Sequence, residues 1–124
     1  MNIKDTPTQY TLVVVKEFAT HPYGRYPTEG EPEDEDFSGA TFRKKYLAKY
    51  LREYDTVHVI LDGYNRYGRS FLDEAFGGLI REENFTAMQL DEKLTYSHSL
   101  IKSIEQVIAD RIAAAEKSRI EGRI

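Results

Sequence analysis

The stretch Tyr10 to Phe18, YTLVVVKEF, gathers β-branched residues between polar flanks, the pattern of a short strand buried on much of both faces. A cleaner run, TVHVIL at 56–61, ends in the turn pair Asp62-Gly63. Between them Phe42, Tyr46, Tyr50 and Tyr54 recur every fourth residue beside Leu47 and Leu51, and Ser38 stands where an N-cap would, so a helix over 39–54 is predicted. The tyrosines fit one buried helix face. A second helix is predicted from Ser70 through FLDEAFGGLIRE, with Ser70 and Asp73 at capping-box spacing and Phe71, Leu72, Ala75, Phe76, Leu79 and Ile80 on a wide apolar face. Gly77 and Gly78 would each cost about 1 kcal/mol in a helix interior, which implies close approach to the sheet or to another backbone. Phe85 to Leu90 reads as a third principal strand, Lys93 to Ser97 as an edge strand, and Tyr23 to Tyr26 as a short one. Leu100, Ile101, Ile104, Val107, Ile108, Ile112 and Ala115 mark a long amphipathic helix over 99–117. The expected architecture is α/β, with four to five strands and three main helices, in which the strand, helix and strand between 56 and 90 form a right-handed parallel crossover.

Composition narrows the class. With 124 residues, 40% apolar and 31% charged, the chain has the length of one domain, 1–124, with its core in 10–117. It has no cysteine, which excludes a disulfide frame, a thiol nucleophile and a thiolate-held zinc. No apolar run approaches the roughly 18 residues of a membrane span. Residues 1–9 lack the basic flank and apolar stretch of a secretory signal, so a cytoplasmic protein without membrane contact is expected. The net charge of −4 is unevenly spread, because Glu29, Glu31, Glu33, Asp34, Glu35 and Asp36 hold six of the 21 acidic residues. Elsewhere 17 basic residues face 15 acidic ones, too even a balance to hold a nucleic-acid backbone. Repulsion within the acidic run predicts a mobile surface loop over 19–37. The last residues, 118–124, contain Ile-Glu-Gly-Arg, which is also a protease-tag sequence, and are expected to form a disordered tail or tag remnant.

Chemistry concentrates in the loop from Asp62 to Ser70, which runs from the carboxyl end of a central strand to the start of a helix, where ligands gather in open α/β sheets. Free helix amides there favour an anion, and Arg66 and Arg69 would add charge-assisted hydrogen bonds. The loop lacks the Gly-Lys-Ser/Thr ending of a P-loop, and Gly63 and Gly68 make no dinucleotide fingerprint. Residue physics makes Ser70 a helix cap; the alternative is a hydroxyl that a kinase modifies, adding roughly two negative charges beside Asp73 and Glu74. No catalytic set assembles, since RYGRSFLDE is not a nucleophile elbow and His21, His58 and His98 lie in separate segments. No second histidine or carboxylate stands at metal spacing near His58, and neither metal nor cofactor is expected.

The segment VHVILDGYNRYGRSFLDEAFGGLIR, preceded by FSGATFRKKYLAKYL, resembles the STAS-like domain of unknown function, DUF4325, found in small bacterial proteins. The resemblance spans roughly residues 10–112 and is most specific in Ser70 to Leu79, supported by Asp62-Gly63 and Ser38-Gly39. It implies a single STAS-like domain: a mixed sheet with helices packed mostly on one face. Many STAS domains are anti-sigma-factor antagonists, in which a serine or threonine opening the helix after a central strand is phosphorylated by a partner with a histidine-kinase-type ATP fold, releasing that partner. By position Ser70 inherits that role, although Arg69 precedes it and Phe71 follows it where the antagonists carry Asp-Ser or Asp-Thr before glycine. The leading expectation is a noncatalytic regulatory interaction domain, monomeric or weakly homodimeric. It would dock a protein partner such as a histidine-kinase-like ATPase through Asp62, Gly63, Arg66, Arg69, Phe71, Asp73 and Glu74. The alternatives are a phosphate-ligand or nucleotide sensor at the same helix terminus, and an acidic phage-type inhibitor acting through residues 29–36.

Overall fold

A computed structural model of the chain describes residues 7–28 and 36–123. Three parallel strands, β1 (Gln9–Val13), β2 (Thr56–Ile60) and β3 (Leu94–Ser97), lie in the order β1-β2-β3. A single turn, α1 (Val14–Glu17), follows β1 directly. Helix α2 is continuous through Gly39–Phe42, a π turn at Arg43–Leu47, and Ala48–Glu53. Helix α3 repeats that construction through Arg69–Leu72, a π turn at Asp73–Gly77, and Gly78–Arg81. Helix α4 (Ala87–Lys93) leads into β3, and α5 (Lys102–Ile120) closes the domain. Among the described residues no helix is long and apolar enough to cross a membrane.

Strand periodicity places the helices on one side. Leu12, Val57, Val59 and Leu94 are buried, whereas their neighbours Thr11, His58, Ile60 and Thr95 are exposed or half-buried. On the buried side Tyr10 stacks on Tyr50 of α2 with ring centroids 4.0 Å apart, and Tyr96 meets Phe76 of α3 at 5.8 Å. The aromatic stripe of α2 is therefore core packing, and Ser38 caps that helix by accepting from Thr41 N–H at 3.4 Å.

Several sequence expectations need correction. The sheet has three parallel strands among the described residues; it is neither four- to five-stranded nor mixed. Phe85 to Leu90 is not a strand: Thr86 and Gln89 form a capping box that starts α4, and the return strand is the expected edge segment. The first strand stops at Val13, and its other face stays open. Tyr23 to Tyr26 is irregular. The last helix runs to Ile120, so residues 118–120 of the expected tail are helical, and it begins only at Lys102, leaving Leu100 78% exposed in the preceding loop. Residues 29–35 of the acidic run lie outside the described residues.

What joins the helical layer is charge. Arg43, 2% exposed at its side chain, donates to the Glu74 carboxylate at 2.7 Å, to the Glu74 carbonyl at 2.8 Å and to Glu83 at 3.0 Å. Arg25 and Arg81 hold Asp73 at 2.6 and 3.1 Å, and Arg52 holds Glu83 at 3.0 Å. Two glycines make room. A methyl group on Gly39 would stand 2.5 Å from the Phe71 carbonyl, and one on Gly78 would collide with the Arg43 guanidinium. The expected close approach to another backbone holds at Gly77, where a methyl group would stand 3.2 Å from the Arg111 carbonyl of α5, but at Gly78 the close neighbour is the Arg43 side chain and neither sheet nor backbone.

Burial alone would raise the carboxyls of Asp73 and Glu83, but hydrogen bonds and charge from the arginines outweigh it and hold both below the usual carboxylate range. Their contribution is complete above the unfolded carboxyl values near pH ~4 and is lost as pH falls through the lower folded values. Urea unfolding followed against pH should therefore give constant stability from neutrality to about pH 5 and a decline below about pH 4. Arg43→Met, which takes from the buried Glu74 its shortest cation contact and leaves it Arg25 at 3.3 Å and Arg81 at 3.7 Å, should cost up to about 3–5 kcal/mol, and adding Glu74→Gln should recover part of it. A single-variant loss within about 0.5 kcal/mol would remove this pair from any central role.

Candidate functional site

The loop that leaves β2 is held from behind. Gly63 turns at φ +99°, and Asp62 accepts the Ser99 N–H at 3.1 Å; the Ser99 side chain and, after it, this amide keep the Asp62 carboxyl below the usual range. The His98 side chain is fully buried. Its Nδ1 accepts the N–H groups of Leu100 and Ile101 at 3.2 and 3.0 Å, so Nε2 carries the proton and donates to the Tyr64 carbonyl at 2.9 Å. One imidazole thus ties residues 98–101 to the turn before α3. Tyr67 packs edgewise on Tyr64 and against Phe71; its hydroxyl is buried without a partner among the described residues, and burial pushes its pKa up.

Gly68 is the N-cap of α3, with extended backbone at φ −81° and ψ 154° and no side-chain cap. Ser70 is the second helical residue and not the cap, so the expected Ser70–Asp73 capping box is absent, and the Asp73 carboxylate is engaged by Arg25 and Arg81 instead. The first intrahelical bond is Leu72 N–H to Gly68 C=O at 3.1 Å, so the amides of Arg69, Ser70 and Phe71 precede the helix ladder. Ser70, Arg66 and Arg69 are exposed, and their side chains make no hydrogen bond or ion pair among the described residues. A cleft of about 350 Å³ lies in front of Arg69 and Ser70, with Tyr23, Gly24 and Arg25 on one wall and Gly68 to Phe71 on the other.

The remaining expected contact residues face inward. Phe71 is fully buried, its ring 5.8 Å from Phe42 and 5.9 Å from Tyr67, because α2 crosses α3 closely enough to cover it. Glu74 is 3% exposed and Asp73 half-buried, both drawn in by the arginines. Neither acid belongs to a docking surface. Of the expected site residues, Arg69, Ser70 and Phe71 border one cleft, whereas Arg66 is exposed in the loop before it and Asp62 and Gly63 stand at the start of that loop. The histidines stay apart: His21 lies beside Thr20 and Phe37, and His58 bonds Thr95 and Ser97 on the open sheet face. Among the described residues no group of three metal-binding side chains converges.

Sequence reasoning missed Arg25 and His98. Arg25 sits in an irregular segment held to α2 by Gly39 N–H to Gly24 C=O and Ala40 N–H to Arg25 C=O. No local periodicity signals it. Leaving a buried donor or acceptor unmet costs about 1–3 kcal/mol, so His98→Phe should destabilise the fold by at least that amount. It should also speed amide exchange in residues 62–68 and 98–101 while α2 keeps its protection; unchanged exchange there would assign the loop's rigidity to other contacts.

Comparison with known proteins follows the same residues. Neither the curated proteins nor the solved structures compared with the chain include a match. One family model does match, covering residues 38–99, half of the chain, from the cap of α2 through α3 to the loop that His98 holds. The chain therefore belongs to the STAS-like domain family of unknown function, DUF4325.

Proposed function

We propose that this chain is a noncatalytic regulatory interaction domain that docks a protein partner through the rim formed by Arg66, Arg69 and Ser70. The supporting observation is that these three polar side chains stand exposed and unpaired, Arg66 on the loop and Arg69 and Ser70 on the first turn of α3, next to a loop backbone held from behind by His98 and Asp62. A rigid loop presenting arginines loses little freedom on binding, which favours recognition of an acidic partner surface. Asp62 and Gly63 support the rim; Phe71, Asp73 and Glu74 maintain the fold beneath it.

Ser70 is the proposed switch. Transfer of the γ-phosphoryl group of ATP to its Oγ, with loss of the hydroxyl proton and release of ADP, would place about two negative charges beside Arg69 and the three leading helix amides. The added charge would change the rim without disturbing the core and would repel a partner surface matched to the arginines. A histidine-kinase-like ATPase is the partner class that the family resemblance suggests. The same cleft also suits a free phosphate-bearing ligand, because Arg25, Arg69 and the amides border it together.

The experiment is capture of histidine-kinase-like ATPases on immobilised protein, read by mass spectrometry. Arg66→Ala with Arg69→Ala should lower capture roughly tenfold, Ser70→Glu should do likewise, and Ser70→Ala should leave it intact. Capture indifferent to all three changes would remove the rim as the docking surface. A rise in Tm with inorganic phosphate or a nucleotide, abolished by Arg69→Ala, would instead favour the ligand-sensor reading.

A further inference from the structure

A second surface, sharing no residue with the Ser70 cleft, runs along β3. The sheet ends at this strand among the described residues. The Ser97 carbonyl accepts the Leu61 N–H at 2.9 Å, so Ser97 and, by alternation, Thr95 aim their backbone groups at β2. Those of Tyr96 aim outward, away from the sheet. Sheet edges are commonly blunted by a charged residue, a proline or a bulge, and Leu94-Thr95-Tyr96-Ser97 carries none of these.

Beside this edge lies an apolar groove of about 530 Å³ between α4, β3 and α5, lined by Met88, Leu90, Leu94, Tyr96, Ile112 and Ala113. Met88 is 75% exposed at its mouth. The groove lies where the inward side chains of a neighbouring strand would pack. Its charge is one-sided. Asp91 is part of the lining and makes no ion pair among the described residues, and Glu105 accepts the His98 N–H at 3.0 Å where β3 ends. Asp91 and Glu105 both act on the Tyr96 hydroxyl, which burial and these two charges push up in pKa. Lys102, bonded to Glu105 at 3.2 Å, is the cation at that end.

We propose that the β3 edge accepts, as a fourth strand, an extended segment of a partner protein in which an aliphatic residue is flanked two positions away by basic residues. Backbone pairing at Tyr96 would set its register, the aliphatic side chain would enter the groove, and a lysine or arginine on the same face of the strand would meet Asp91. The charge distribution favours this occupant over a second copy of the chain. Pairing β3 with its own twin would bring Asp91 and Glu105 of both copies together with only the two Lys102 side chains to offset them.

The test uses the full chain and a fluorescein-labelled synthetic peptide, Gly-Ser-Lys-Val-Leu-Val-Lys-Ser, followed by anisotropy. Saturable binding is expected, with a chemical-shift change at the Tyr96 amide. Affinity should fall about fivefold when the peptide lysines become glutamates, and Asp91→Lys should reverse that preference. Proline in place of the central leucine should abolish binding. Ala113→Glu, at an exposed helix position, should block the groove with the thermal melt unchanged, while Arg66→Ala with Arg69→Ala should bind the peptide normally. The proposal is overturned by absence of saturation up to about 1 mM peptide, by binding indifferent to proline or charge, or by elution of the chain as a dimer that Ala113→Glu dissociates.

Discussion

The rest of the fold depends on how a buried arginine is satisfied. Arg43 has left water almost completely, and removing a guanidinium from water is costly unless every donor finds a partner. Here Glu74 meets Nη1 with carboxylate and carbonyl, and Glu83 accepts from Nε. Because Arg43 opens the π turn of α2 and Glu74 lies in that of α3, satisfying the charge determines how the two helices lie against each other. Gly39 and Gly78 follow from the same requirement, since a side chain at either would separate the partners.

That arrangement changes the meaning of the motif through which the family is recognised. Within Ser70 to Leu79, Phe71 fills the α2–α3 contact, Asp73 and Glu74 bind arginines, and Gly77 and Gly78 admit Arg111 and Arg43. Ser38 and Gly39 cap and seat the opposing helix. Nearly all of the specific residues therefore encode a helix pair. Similarity in this stretch carries the fold with it and says little about chemistry.

The readable parts of the sequence were those governed by local periodicity. The four-residue spacing of Phe42, Tyr46, Tyr50 and Tyr54 identified α2, the β-branched run at 56–61 identified β2, and Ser38 was recognisable as a cap. Phe85 to Leu90 misled because a short apolar run has no decisive period, and the Thr86–Gln89 capping pair settled it as helix. Ser70 misled differently: it satisfied a capping pattern, but the helix starts earlier, at the Gly68 cap, and Arg25, distant in sequence, bonds the Asp73 carboxylate. The burial of Asp73 and Glu74 was illegible for the same reason. An acid in a helix reads as surface until its arginines are known, and two of these lie on other elements.

A parallel sheet covered on one face is itself a constraint, because such sheets normally have helices on both. The open face here is held by side chains. His58 joins Thr95 at 2.6 Å and Ser97 at 3.0 Å, and the strand register sets Thr11, His58 and Thr95 in one row. A polar ladder of this kind lets β2 and β3 face water without a covering layer. It gives the solitary histidine of β2 a structural place on that face. The covered face behaves in the opposite way: its apolar contacts continue past β3 into the groove beside α4 and α5. The sheet therefore ends before its hydrophobic layer does. This mismatch, more than the strand count, separates the β3 side of the domain from the Ser70 side, where an arginine network closes the core and leaves only the rim of the loop exposed.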